Sequence, residues 1–335
     1  MNSLELNNRI DTLDYLRGFA LMGIILVNII PLLSVRLPIP GTTDVSYLRF
    51  LYLFVEGRFY TIFTFLFGVG FYLFISRAIA KGKNGYVLFL RRILVLLFFG
   101  LVHVQFHPGE ALTVYAVCGL IILPFYKANK VVNLVFGTVM LLVLSFYAEK
   151  MFMVVPLMLL GIAAGQYRLF ERISQHWKQT AIFTGLMFVL SVVGLIYQYQ
   201  YAPFVFGNVS DGNLLETQRF LRIGIAIGPI VSAFYVGVLI LLLNFSMVRQ
   251  VLSPLKSYGR MALTNYLSQT ILILVAGKVL DLFDRITYLQ SLNLCLSIYV
   301  IQLLFSTVWL RYFRFGPMEW LWRMLTYFES PPMRR

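Results

Sequence analysis

Charge is the scarcest property of this chain. Asp, Glu, Lys and Arg make up 13% of its 335 residues, against roughly a quarter in an ordinary soluble domain. Hydrophobic residues reach 59% and mean hydropathy is +0.80. That deficit excludes both a soluble globular domain and a disordered chain, and it makes the protein a polytopic membrane protein. Negative charge is scarcer still: 14 acidic residues face 28 basic ones, for a formal net charge of +14. The excess does not call for nucleic acid, because the Lys and Arg fall in short loops between apolar segments, where membrane orientation puts them. There are only two cysteines, Cys118 and Cys295, each inside an apolar run. This excludes a disulfide framework and a cysteine-based metal site. Gly/Ser tracts, long charge blocks and internal repeats are missing, so no linker divides residues 1–335. A secretory cleavage signal is not expected either, since the first apolar run has no small-residue cleavage site and further spans follow it.

What is present is a series of ten apolar segments, which predicts an all-α, polytopic integral membrane helical bundle. They fall at roughly 15–35, 59–80, 88–106, 111–126, 131–148, 152–167, 180–200, 220–244, 262–280 and 291–310. The segments 111–126 and 152–167 are short for a full crossing. Basic residues alternate between rich and poor loops along the whole series. Arg77, Lys81, Lys83, Arg91, Arg92, Lys127, Lys130, Arg260, Arg314 and Arg323 fall on one side, and Arg36, Arg49, Arg58, Lys150, Lys278 and Arg285 on the other. The richer side is the cytoplasmic one, with both termini on it. The stretch 36–57 becomes aromatic and amphipathic and is expected to lie along or dip into the outer surface; 201–219 is the next long outer loop. The tail 315–335 carries MEWLWRML, the pattern of a cytoplasmic interfacial helix.

Polar side chains inside hydrocarbon are costly and mark cavities or partners. Asp14 and Arg17 stand three apart on one helix face. They read either as a salt bridge near the headgroups or as an anion-binding pair in a vestibule. Asn28, deeper in the same segment, glues helices or lines a cavity. His103 lies roughly 17 Å along its helix from Arg91, past the midplane. His107 follows one turn later at the outer mouth, and Glu110 begins the next segment. An imidazole beside a carboxylate suits general-base work, and equally a structural hydrogen bond. His103 and His107 with Glu110 also have metal-like spacing, but no further ligand is evident and no metal is expected. His176 sits in a basic inner loop. Thr264, Asn265, Ser268 and Gln269 form a polar stripe, implying an interior face that is wet or densely hydrogen-bonded. Arg260, Arg311 and Arg314 mark span ends, where arginines ordinarily snorkel to lipid phosphate.

Several strings carry a family resemblance: LDYLRGFALMGIILVN (13–28), EGRFYTIFTFLFGVG (56–70), RRILVLLFFGLVH (91–103), GEALTVYAVCG (109–119), YGRMALTNYLSQT (258–270) and WLRYFRFGPMEWLWR (309–323). With them the chain resembles the bacterial inner-membrane family of domain of unknown function 418 (DUF418). That family is in turn distantly similar to transmembrane acyltransferases of the heparan-alpha-glucosaminide N-acetyltransferase type. The opening L-D-x-x-R-G of those enzymes is matched by Leu13 to Gly18. Glu110 stands where the relatives commonly carry Asp, and Ala116 where Gly is usual. The resemblance implies acyl-CoA as co-substrate and transfer across the membrane to a lipid or glycan acceptor. It gives His103 and Glu110 catalytic roles and Asp14, Arg17, Arg260 and Arg314 the acyl-CoA. Asn28, His107, Asn265 and Gln269 then line the substrate cavity. Membrane lipids and a second copy of the chain are the expected partners, and the bacterial cytoplasmic membrane the expected location. The same polar residues also suit an exporter or transporter of a small or amphipathic solute.

Overall fold

The computed structural model describes residues 10–171, 176–203, 206 and 211–335; part of the expected outer loop 201–219 lies outside them. Every regular element among them is helical. The ten apolar segments correspond to α1 (Asp11–Leu32), α3 (Arg58–Ala80), α4 (Gly85–His103), α5 (Leu112–Ile121), α6 (Lys130–Tyr147), α7 (Val154–Gln166), α8 (Trp177–Tyr199), α9 (Asp211–Leu242), α12 (Ala262–Val279) and α13 (Tyr288–Tyr312). Seven stretches are long and apolar enough to cross a membrane: α1, the continuous Thr43–Ala80, α4, α6, α8, Leu214–Leu242 and α13. α5 and α7 are shorter, with 10 and 13 residues. α12 has 18 residues, but its polar first half keeps it out of the seven.

Four helices were not separate segments by hydropathy. α2 (Thr43–Phe50) runs into a π-helical turn, Leu51–Val55, immediately before α3. Leu48, Leu51 and Val55 are buried there in an apolar cluster with Ile25 and Ile29 of α1 and Ile298 of α13. The stretch 36–57 thus has a packed inner face as well as an exposed one. It is tied across the chain by Arg36 Nε to the Asp284 carbonyl (2.5 Å) and by Asp44, which accepts from Leu289 N (2.8 Å). α10 (Ser246–Val251) and α11 (Ser253–Arg260) lead into α12, and α14 (Pro317–Tyr327) follows α13.

Small residues set the closest helix pairs. A Cβ on Gly259 of α11 would stand 1.8 Å from the Asp14 carbonyl oxygen, and one on Gly18 of α1 2.3 Å from that of Leu255. The two backbones therefore touch, as they do in small-residue membrane packing. Lys256 of α11 adds an ion pair to Asp11 at 2.5 Å. A second apolar cluster joins α1, α3, α4, α5 and α7 and holds Leu16, Leu66, Ile93, Tyr115 and Met158. α6 and α8 lie outside it, their membrane-length windows only 11% buried. Their exposed Val, Leu and Phe suit contact with lipid chains.

Candidate functional site

One cavity of about 690 Å³ enters the bundle between α1, α3, α4, α12 and α14. One end of it is basic. Arg77, Lys81 and Lys83 come from the end of α3 and the turn after it, Arg17 from α1, Arg92 from α4, Arg260 from α11, Arg314 from the connection between α13 and α14, and Arg323 from α14. Only Asp14, Glu319 and Glu329 among its lining residues are acidic. Asp14 is buried and accepts from Arg17 Nη1 at 3.3 Å. Its carboxylate lies in the first turn of α1, where the helix dipole favours negative charge. Gly70 leaves room for the guanidinium: a Cβ there would be 3.4 Å from Arg17 Nη2.

Glu319 of α14 caps α12 from outside. Its Oε1 accepts from Leu263 N (2.7 Å) and Thr264 N (3.1 Å), and its Oε2 from Thr264 Oγ1 (2.6 Å). Burial raises its pKa, and the hydrogen bonds around Thr264 and Leu263 oppose that rise only in part. Gly316 makes the space, since a Cβ there would stand 2.2 Å from Glu319 Oε2.

The other end is apolar and aromatic, lined by Phe63, Leu66, Phe67, Leu96, Leu112, Tyr115 and Tyr266. The Tyr115 hydroxyl bonds Thr64 Oγ1 at 2.7 Å, and the Tyr266 hydroxyl accepts from Ala111 N at 3.1 Å. Directly behind the Tyr266 ring, 5.2 Å between centroids, lies His103. His103 Nε2 is 2.9 Å from Thr270 Oγ1, and Nδ1 is 3.6 Å from Glu110 Oε2. The carboxylate is near the imidazole but beyond hydrogen-bond length. Its shorter bonds run to Leu112 N (2.5 Å) and Thr113 N (2.6 Å), at the start of α5. Burial pushes the Glu110 carboxyl up, but the neighbouring His103 and the bonds from Thr113 and Leu112 outweigh it and bring its pKa below the ordinary value. The His107 ring stands edge-on to His103 at 5.7 Å. Burial, then the nearby His103, lowers its pKa to about 4. Nδ1 of each histidine is buried without a hydrogen-bond partner. Among the described residues, no three His, Cys, Asp or Glu are grouped as a metal site.

The structure thus brings Asp14, Arg17, Arg260 and Arg314 into one cavity and sets His103 and Glu110 against its floor. Asn28, His107, Asn265 and Gln269 do not line it. The two amides of α12 belong to a hydrogen-bonded network with the neighbouring helices. Asn265 Nδ2 donates to the Tyr258 carbonyl and to Ser306 Oγ, both at 2.9 Å. Gln269 Nε2 donates to the Tyr258 hydroxyl at 2.6 Å, which itself donates to Gln302 Oε1 at 3.1 Å. Of the two meanings of a polar stripe, this is the hydrogen-bonded one. His107 is walled in behind His103, and Asn28 is half-buried on α1. Sequence reasoning passed over Tyr266, Thr270, Arg92 and Glu319. Only Glu319 left a signal, as a carboxylate inside an otherwise apolar amphipathic helix.

Comparison with known proteins divides the chain in two. The family described as "Heparan-alpha-glucosaminide N-acetyltransferase, catalytic" matches residues 9–171. The family described as "Protein of unknown function (DUF418)" matches residues 164–329. The chain is 60% identical to the "Uncharacterized 39.9 kDa protein in amylase 3'region" of Bacillus acidopullulyticus, over 99% of this chain and 98% of that one. It is 28% identical to YxaH of Bacillus subtilis (strain 168), covering 100% and 99% of the two chains. With YeiB of Escherichia coli (strain K12) it shares 26% identity over 96% and 97%. No solved structure matches. An end-to-end likeness to these bacterial proteins, joined to an acyltransferase-like front half, assigns this multi-pass membrane protein to the DUF418 family.

Proposed function

We propose that the protein is a transmembrane acyltransferase. It takes an acyl group from acyl-CoA on the cytoplasmic side of the bacterial cytoplasmic membrane and passes it to an acceptor at or beyond the outer leaflet. In this reading the chain is one transmembrane domain with ten crossings and both termini in the cytoplasm. α5, α7 and α12 complete the crossings, and the tail 315–335 lies at the cytoplasmic interface. One observation carries it: a single cavity joins a cationic end to an apolar end that includes Tyr266, with His103 against the Tyr266 ring and Glu110 beside the imidazole. The match of residues 9–171 to an acetyltransferase catalytic family, spanning Asp14, Arg17, His103 and Glu110, supports the same reading.

Arg17, Arg260 and Arg314 receive the phosphates, as fixed guanidinium forks do, and Asp14 orients Arg17. The pantetheine arm enters the apolar end and brings the thioester to Tyr266. Thr270 Oγ1 occupies the position from which an acceptor hydroxyl or amine donates to His103 Nε2. His103 takes that proton as the acceptor oxygen or nitrogen bonds the acyl carbon. The carbon–sulfur bond then breaks, and the thiolate leaves with the proton returned from His103. Glu110, beside Nδ1, favours the imidazolium during transfer. The Tyr266 hydroxyl, which already accepts a backbone hydrogen bond, keeps its own proton to donate to the developing oxyanion. The test is acyl-CoA turnover by the purified protein in lipid nanodiscs, followed as free thiol. His103→Ala lowers kcat by about a hundredfold or more, the usual weight of a general base. Turnover unchanged in that variant removes the histidine from the mechanism.

A further inference from the structure

Arg92 is one of the cavity cations that the reaction above leaves unused, and it is stacked on a tryptophan ring. It sits on α4, two turns in from Gly85, and lines the cavity. Its guanidinium carbon lies 3.5 Å from the centroid of the Trp322 ring and 4.9 Å from that of Phe74. Trp322 is fixed in turn, because its Nε1 donates to the Arg92 carbonyl at 2.8 Å. No carboxylate among the described residues comes within ion-pair distance of Arg92, and its guanidinium donates no hydrogen bond to the protein. Arg17 and Arg323 add like charge around it, while Glu319, the nearest acidic influence, is already engaged at the start of α12.

A guanidinium lying over an aromatic ring engages it through its face, so its five in-plane donors remain available at its edge. Here that edge meets a cation-rich cavity and finds no protein acceptor among the described residues. A span-end arginine that only snorkels would reach the headgroup layer; this one is held against two rings. Like charges gathered in one place repel one another, and an anion that joins them relieves the cost.

We infer that Arg92, with Arg323 and the Trp322 platform supplied by α14, forms a second phosphate subsite within the basic end of the cavity. Its ligand class is a phosphate ester or diphosphate. The inference rests on the donor-side reading of the cavity and deepens it: the C-terminal helix becomes half of the anion site. Free nucleotide-type phosphate and lipid headgroup phosphate share the required chemistry, so both are tested.

The experiment measures binding of coenzyme A and of inorganic pyrophosphate to purified full-length protein in phosphatidylcholine nanodiscs, with and without phosphatidylglycerol. Arg92→Met keeps the contact with Trp322 and removes the charge. Arg92→Lys keeps the charge and loses the fork, and serves if the Met variant fails to fold. Expected is a loss of affinity of about tenfold or more in Arg92→Met, the weight of a charge-assisted hydrogen bond, and a smaller loss in Arg92→Lys, with unliganded melting temperature little changed. Binding to wild type that phosphatidylglycerol weakens, with no such competition in Arg92→Met, supports the subsite with lipid as its occupant. Equal affinity in wild type and variants overturns the inference and leaves acyl transfer standing. Absence of any phosphate binding to wild type overturns it as well, and acyl-CoA turnover measured in parallel then reports separately on the donor-side reading.

Discussion

His107 and Glu110 stand three residues apart in one connection, and both titrate below their ordinary values with opposite consequences. For Glu110 the shift favours the charged form, and for His107 the neutral one. A histidine with a folded pKa of about 4 and an unfolded value near 6.5 binds its proton more readily when unfolded. Its contribution to stability is complete above about pH 6.5 and is lost as pH falls toward 4. Glu110 contributes above its own unfolded value near 4.3 and loses that contribution only below it. The interval from about pH 6.5 to 5 therefore belongs to His107. The melting temperature of the wild type should fall across it, and in His107→Asn it should stay nearly flat. A slope unchanged in His107→Asn would mean that another group titrates. At this scale the sequence was legible wherever an ionisable group interrupts an apolar run, as at Asp14, Arg17 and His103. It was not legible where the partner is remote. Asn265 and Gln269 read as polar, but Ser306, Tyr258 and Gln302 decide that they bond helices and do not line a cavity. Arg92 read as one more span-end arginine, because Trp322 lies 230 residues away.

Among the elements, hydropathy located ten helices, since a long apolar run in a membrane has few conformations other than an internally bonded helix. It did not locate α2, α10 or α11, which are 8, 6 and 8 residues long and too mixed in polarity to register. α14 was legible as an amphipathic helix, yet its attachment was not. It rests against α4 through Trp322 and against α12 through Glu319. Removing the carboxylate in Glu319→Ala leaves the amides of Leu263 and Thr264 and the Thr264 hydroxyl without their acceptor. Buried donors left unpaired cost about 1–3 kcal/mol each, so a loss of about 2 kcal/mol or more is expected, with part of it recovered in Glu319→Gln. α14 should also loosen, and trypsin should cut at Arg323 in the variant under conditions that spare the wild type. Continued protection of Arg323 would show that the helix is held by Trp322 and its neighbours without the clasp.

For the whole molecule the question is the number of crossings. Seven helices alone would put the termini on opposite sides, and would put Lys127, Lys130 and the arginines of the tail outside, against the charge bias of bacterial membrane proteins. Ten crossings put all of them inside. Two contacts argue for the even count. Lys83, in the turn between α3 and α4, pairs with Glu329 of the tail at 3.2 Å. Lys127 lies 5.3 Å from the ring centroid of Tyr86, at the start of α4. Each contact ties its segment to the α3–α4 turn, which is cytoplasmic under either count once the N-terminus is. Cysteine labelling separates the two. In a background with Cys118 and Cys295, both buried, replaced by Ala, Thr43→Cys should react with a membrane-impermeant maleimide in intact cells. Lys127→Cys and Ser330→Cys should react only after permeabilisation, since all three positions are exposed in the fold. Labelling of Ser330→Cys from outside would make the count odd. The C-terminal half of the phosphate cavity would then face away from cytoplasmic acyl-CoA, and the proposed donor side would fall with the topology.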